Sequence, residues 1–444
     1  MSKRIRVSVI FLLLVSIVTQ SVPVAQQPGR SPKVKPAPTS AAGAAEVMAA
    51  ANEMLEEVSK MRGLKILQPV KSGVKSRSEI ERDVIHNFEE SYKPEELDAI
   101  NKSMLAYGLV PKGFDYRRFM IELLTEQVAG FYRPKSKELF IADWNGLNQQ
   151  KPIMAHELTH ALQDQHFNLQ RFEEWERGDS DREAAIHALI EGDATGVMYN
   201  YQLKPMRTDI SRLPSIAGLS DNPVAIAEKD GQKVFLSAPA SIRESLVFPY
   251  LYGAAFVQEL VKQRGWEGVS RAFTDLPQST EQIIHFEKYL SSEQPVKVQL
   301  PDISSLLEPG WKRIDADING EFGYYLILSE FIDKKFARTA SAGWGGDQST
   351  LYENAGTGRL LLIHLSVWDT PKDAEEFFQA YTKRIRKRYP EVKEKKEPPA
   401  NERDFITPDG DTHLRMRDKT VLVIEGLSIA DDKHLARLFE VLWK

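Results

Sequence analysis

No cysteine occurs among the 444 residues. That excludes disulfide scaffolds, thiolate zinc sites, cysteine nucleophiles and anchoring through a lipidated N-terminal cysteine. Any metal must therefore be held by His, Asp or Glu. A charge excess of either sign is also lacking: 58 Lys+Arg stand against 63 Asp+Glu, for a formal net charge of −5. The strongly basic footprint of a nucleic-acid binder is thus missing. Long hydrophobic runs are scarce, and the clearest one, Val7–Val18, is too short to span a bilayer comfortably. What remains, 42% hydrophobic and 27% charged, is the composition of an ordinary globular chain. At roughly 100–200 residues per domain, its length suits two or three domains.

The short apolar run has a specific setting. Lys3, Arg4 and Arg6 precede it, and Ala25 offers a small residue at a cleavage point, with Thr19 and Ser21 marking an alternative just upstream. This is the pattern of a secretory signal peptide, residues 1–25, and it predicts export to the periplasm, the cell envelope or the medium. Attachment to a membrane is expected only if the segment stays uncleaved. Its removal takes away three positive charges and no negative ones, shifting −5 to −8. Residues 26–45, rich in Pro, Ala, Ser and Gly without periodicity, read as a linker.

Apolar residues then recur at helical spacing from Glu46 to about Leu67, and helices are expected near 79–90, 94–106 and 115–127. Val128–Tyr132 and Leu139–Trp144 are β-favouring runs around a turn-forming stretch, a predicted hairpin. Pro152 marks the first turn of a helix running to about His166. Ser180 and Glu183 have the spacing of a capping box for a helix reaching about Tyr201. Residues 203–240 read as an irregular connection with some strand content, followed by helices at 241–263, 267–274 and 279–289. Beyond a Pro-containing passage the rhythm changes. A helix at 321–338, strands at 349–355 and 358–368, a helix from Pro371 to Arg388, strands near 403–407, 411–417 and 420–427, and a helix at 431–443 are expected. The class is α+β: a mainly helical domain over 46–300 with a small β element, then a separate α+β domain over 310–444.

The sharpest chemical signal is His156-Glu157-Leu158-Thr159-His160. On a helix, residues four apart share a face, so both imidazoles can reach one cation. Glu157 stands one residue round, where it can take a proton from water without ligating the metal. Catalytic zinc (Zn2+) needs a third protein ligand and an open position. Glu191 is one candidate, a carboxylate in an apolar helical stretch that needs a partner. His166 is the other, at the spacing of the extended three-histidine motif, which requires the helix to break where Gln163 stands among good helix formers. Asp193, His187 and Asp164 are minor alternatives, and Met198-Tyr199 could form a Met-turn only by leaving the predicted helix. Other features carry less. Ala342–Asp347 is glycine-rich but precedes a strand, so it lacks a phosphate loop's helix N-terminus. The basic run Lys383–Arg388 ends a helix, where positive charge suits the dipole.

The ordered set of hairpin, HELTH helix and later helix with EGDA resembles the gluzincin group of zinc metallopeptidases, the thermolysin-like kind, over roughly residues 115–290. The resemblance implies that His156, His160 and Glu191 bind zinc and that Glu157 is the general base. It also implies that an extended peptide substrate pairs with an edge strand beside the motif, here an arm of the hairpin, with Leu139–Trp144 nearer the motif. Such a peptidase needs a donor to the developing oxyanion, for which His285 and Tyr250 are the candidates. Two departures stand out. The step from His160 to Glu191 is long, and Thr195 occupies the place of the aspartate that usually orients a ligand. The expected function is hydrolysis of a peptide or protein by zinc-activated water, with no nucleic-acid partner. The alternatives are a non-catalytic envelope protein holding a structural or vestigial metal, and a zinc amidase acting on a non-protein amide.

Overall fold

Alanine-rich sequence has the highest helix propensity, and the first helix, α1, runs from Ala41 to Arg62 before Gly63 turns left-handed at φ 75°. The computed structural model describes residues 41–144, 146–172, 178–216, 227–228, 231–394, 398–427 and 432–443. The expected signal segment and all but the last residues of the expected linker lie outside them. Those last residues, from Ala41, are already helical. Ala51, Met54, Leu55 and Val58 bury one stripe of α1 against Leu158, Ala161 and Leu162.

Next comes strand β1 (Lys71–Lys75), for which the polar, glycine-containing sequence KSGVK carries no periodic signal. Helices α2 (Arg77–Ser91), α3 (Pro94–Tyr107) and α4 (Tyr116–Gln127) follow near their expected positions, then the hairpin β2 (Gly130–Arg133) and β3 (Glu138–Ala142). Strand β1 lies parallel to β3, giving the sheet order β1-β3-β2. Of the two arms that could meet an extended substrate, the one nearer the motif in sequence, 139–144, is therefore the interior strand. Among the described strands the outermost arm of the hairpin is β2, with Gly130, Phe131 and Tyr132 buried.

The motif helix α5 spans Leu147–Phe167, and Pro152 sits inside it, in the second turn instead of the first. Helix α6 spans Ser180–Leu203. Its cap is Asp179, which accepts from the Arg182 N–H; Ser180, expected to cap it, turns its own N–H to Asp317. The expected strand content of 203–240 does not occur among the described residues, which form short helical turns and α7 (Lys233–Ser237). Helix α8 (Ala240–Ala272) breaks its geometry at Gly265, matching the two helices expected there. Short helices α9 (Thr280–Ile284) and α10 (Phe286–Leu290) meet at His285.

The C-terminal part is built on an antiparallel sheet in the order β4-β5-β6-β10-β9-β8-β7. Its strands are β4 (Trp311–Asp317), β5 (Trp344–Asn354), β6 (Leu360–Trp368), β7 (Lys393–Glu394), β8 (Glu402–Thr407), β9 (Gly410–Arg417) and β10 (Thr420–Leu427). The single helix expected at 321–338 is two, α11 (Gly320–Ser329) and α12 (Lys334–Ser341), because Asp333 caps the second by accepting from the Phe336 N–H. Helix α13 (Pro371–Arg388) opens on a Thr370–Asp373 capping box, and α14 (Asp432–Leu442) closes the described chain. The glycine-rich stretch leads straight into β5, where buried Trp344 donates its indole N–H to Asp347 at 2.9 Å.

One apolar cluster runs from Phe88 and Leu123 through Tyr324 and Trp344 to Phe377 and Val423, joining the helices to the C-terminal sheet. The basic run reinforces this junction. Arg384 and Arg388, both largely buried, donate to the last carbonyls of α3, at Tyr107, Ala106 and Leu105, with Glu425 as their counter-ion. Cationic donors at a helix C-terminus satisfy orphan carbonyls and the dipole together.

Candidate metal centre

Helix α5 carries His156 and His160 on one face, and both imidazoles are buried. Their Nε2 atoms lie 2.9 Å apart, and Glu191 of α6 brings its Oε2 to 3.0 Å from His156 Nε2 and 3.5 Å from His160 Nε2. Ligand bonds of about 2.0–2.1 Å in a tetrahedral array put donor atoms roughly 3.3 Å apart. The observed spacings bracket that value, so the three residues fit a zinc-sized cation with little movement. His187, one turn before Glu191, approaches its other oxygen, Oε1, at 3.3 Å.

The EGDA stretch reads as a division of labour. Glu191 faces the histidines. Gly192 lets α6 touch α8 backbone to backbone, since a Cβ there would stand 2.1 Å from the Gly253 carbonyl carbon. Asp193 points away from the cluster and bonds Gln163 and Arg62. The contact at Gly192 and Gly253 brings Tyr250, one turn earlier on α8, into the site, with its ring centroid 6.1 Å from that of His156.

Glu157 is fully buried. Its Oε2 accepts the Tyr132 N–H of edge strand β2 at 2.7 Å, and its Oε1 is buried with no hydrogen-bond partner. Burial pushes its carboxyl up to about 8, against the opposing pull of His160. In the metal-free protein the two histidines differ. Burial lowers His156. It would lower His160 too, but the charge of Glu191 and its hydrogen bond to the ring win and hold His160 up to about 9, while His160 keeps Glu191 ionised.

A pH dependence follows. A metal must displace the proton on His160, whose value lies above neutrality, whereas His156 is already neutral there. Zinc affinity is therefore expected to rise about tenfold per pH unit between about pH 6 and 8, with roughly one proton released per ion. Calorimetric titration of the metal-free protein in buffers of different ionisation heat checks it; a flat profile would contradict the assignment of that proton.

The other sequence candidates go elsewhere. Helix α5 continues unbroken through Gln163, and His166 donates to the Lys65 carbonyl at 2.8 Å. Asp164 accepts from the Tyr132 hydroxyl, Lys137 and the Leu169 N–H. Met198 and Tyr199 stay helical and buried. His285 pairs with Glu321 at 3.0 Å. It belongs to the Asp181 end of α6, where Thr280 sits, and at 1.5 Å of rise per residue that end is about 15 Å along the helix from Glu191. Two residues that sequence reasoning missed are Gln163 and Arg62. Gln163 shares the face of His160 at i+3, a usable signal; Arg62 offered none.

A second group of acids, Glu281, Glu293 and Asp369, also has metal-like spacing. The Lys288 ammonium fills it, at 2.7, 2.9 and 2.6 Å from the three carboxylates.

A family model described as a domain of unknown function, DUF8575, matches residues 307–436, the C-terminal sheet and its helices, and does not reach the histidine cluster. No curated protein and no solved structure matches the chain.

Proposed function

We propose that the protein is an exported zinc metallopeptidase of the gluzincin kind, hydrolysing peptide bonds in a peptide or protein substrate. One observation carries this reading: three buried donors, His156 Nε2, His160 Nε2 and Glu191 Oε2, converge beside a fourth buried residue, Glu157, whose Oε1 lacks a partner. Two imidazoles and a carboxylate are the donor set of a catalytic zinc site with an open fourth position. A bound zinc ion would supply Lewis acidity and lower the pKa of water held there.

The chain's own residues do the rest. Glu157, fixed through Oε2 by the Tyr132 N–H, would be ionised once a neighbouring cation offsets the burial that raises its carboxyl; it then accepts the proton of the attacking water on Oε1 and returns it to the leaving amine. The Tyr250 hydroxyl is the nearer candidate to donate to the developing oxyanion, because its ring lies against His156. Strand β2, outermost in its sheet and adjoining Glu157 through the Tyr132 N–H, is the arm of the hairpin beside which an extended peptide would lie. Export rests on the pattern of residues 1–25; no helix among the described residues is long and apolar enough to cross a membrane.

The near-complete burial of His156, Glu157, His160 and Glu191 favours a second reading, a structural metal without catalysis. Against it, structural zinc sites take four protein ligands, and among the described residues three converge. The test is zinc content and cleavage of an unfolded protein by purified residues 26–444, with and without chelator, beside Glu191→Ala and His166→Ala. About one equivalent of zinc is expected, with cleavage lost to chelator and to Glu191→Ala but kept in His166→Ala. Bound zinc without cleavage would favour the structural metal, and no zinc would sink the metal centre.

A further inference from the structure

The hydrogen bonds behind His160 form a chain that ends on the first helix. His160 Nδ1 donates to Gln163 Oε1 at 2.9 Å. The amide is oriented without ambiguity, because Gln163 Nε2 donates to the Ile190 carbonyl at 3.0 Å and to Asp193 Oδ2 at 2.9 Å. With Gln163 Oε1 as acceptor, the Nδ1 of His160 must carry its proton, and Nε2 is the atom left to face a cation. The other oxygen of Asp193 accepts from Arg62 Nε at 2.6 Å, and Arg62 also donates to the Trp266 carbonyl and the Ser270 hydroxyl. Gln163, Asp193 and Arg62 are all buried.

We infer that Gln163, Asp193 and Arg62 are positioning residues of the metal centre, so that helix α1 is a fixed wall of the site and not part of a removable propeptide. This rests on the metal-binding reading above. Partners of this kind fix a ligating histidine's tautomer and ring angle and raise its basicity. A carboxylate at the far end of the amide polarises the bond to His160, and Arg62 supplies the charge that makes burying that carboxylate tolerable. The usual arrangement, an aspartate four residues beyond the ligand glutamate, is absent here because Thr195 stands at that position. Asp193 fills the role through a glutamine relay. The pairing of β1 with β3 ties down the same N-terminal stretch a second time, so residues 41–75 are built into the site from two directions.

The test is zinc affinity, measured by competition with a chromophoric chelator, together with the melting temperature of the metal-free protein. Gln163→Met is expected to weaken zinc binding about 10–100-fold, with a small change in metal-free melting. Arg62→Met combined with Asp193→Asn leaves no lone buried charge and keeps an amide to bond Gln163, so a smaller loss is expected. Wild-type affinity in folded Gln163→Met would overturn the inference, whatever its melting temperature. Should that variant not fold, wild-type affinity in the double variant overturns it instead. If the wild-type protein itself binds no zinc, the metal centre falls and this inference with it. Equal, tight binding by wild type and both variants would refute the relay alone.

Discussion

Glu157→Gln is expected to lower peptide hydrolysis by about 10²–10⁴-fold, the usual worth of a positioned general base, while zinc stays bound. Glutamine keeps the local geometry: its amide oxygen can accept the Tyr132 N–H as Glu157 Oε2 does at 2.7 Å. It cannot accept a proton at the other position, which the proposed mechanism requires. The proposed ligand donors are those of His156, His160 and Glu191, so the zinc content is expected not to change. The metal-free variant is also expected to melt no lower than wild type near pH 7. Burial raises the folded-state value of Glu157 to about 8 from 4.5. The folded carboxyl therefore holds a proton that the unfolded chain releases between these values, and stability falls as pH rises across that window. Glutamine removes this penalty. Paired measurements of turnover on an unfolded protein and of zinc by elemental analysis check the main effect. Activity within a few-fold of wild type, with zinc bound, would remove Glu157 from the mechanism.

Gly192→Ala is expected to be the most damaging single-methyl change in the helical part, lowering stability by about 3 kcal/mol or more, the upper range for overpacking. The added Cβ would stand 2.1 Å from the Gly253 carbonyl carbon, 2.2 Å from its oxygen and 2.7 Å from its Cα. No side chain is present to rotate away; the backbones of α6 and α8 must separate. Gly253 is in the same position, with its own Cβ site 2.1 Å from the Ala188 carbonyl oxygen. Separating the two helices also moves Glu191 relative to His156 and Tyr250, so zinc affinity should fall with stability. Thermal unfolding and zinc titration of the variant read both effects. A melting temperature and affinity equal to wild type would mean that the close crossing contributes nothing to the site.

The histidine pair was legible because it needs one helix and a fixed spacing, both local properties. Glu191 was legible because a carboxylate in an apolar helical run has to be accounted for. Tyr250 and His285 could not be separated by sequence, since each is merely a polar aromatic downstream of the motif. The crossing of α6 and α8 at Gly192 and Gly253 separates them: Tyr250 faces His156, and His285 pairs with Glu321. Which arm of the hairpin is outermost was likewise left open by the sequence, and the fold makes it β2. The partner that makes β3 interior is β1, a short polar segment from before the hairpin.

What the sequence by itself determined is therefore what repeats at short range. Helix α13 begins and ends where Pro371 and Arg388 predict, the hairpin arms fall near their β-favouring runs, and HELTH presents one face. These follow from backbone period, turn chemistry and capping, which act over a few residues. The sequence already favoured Glu191 over His166, and the fold sets Glu191 against the histidines and His166 on the Lys65 carbonyl; tertiary structure alone decided the relay from His160 through Gln163 and Asp193 to Arg62, and the cap that Arg384 and Arg388 place on α3. The physical reason is that a buried charge or polar group must find its partner in space. Those partners lie 35 residues apart for His156 and Glu191, 131 for Arg62 and Asp193, and 277 for Tyr107 and Arg384, distances at which no local pattern speaks.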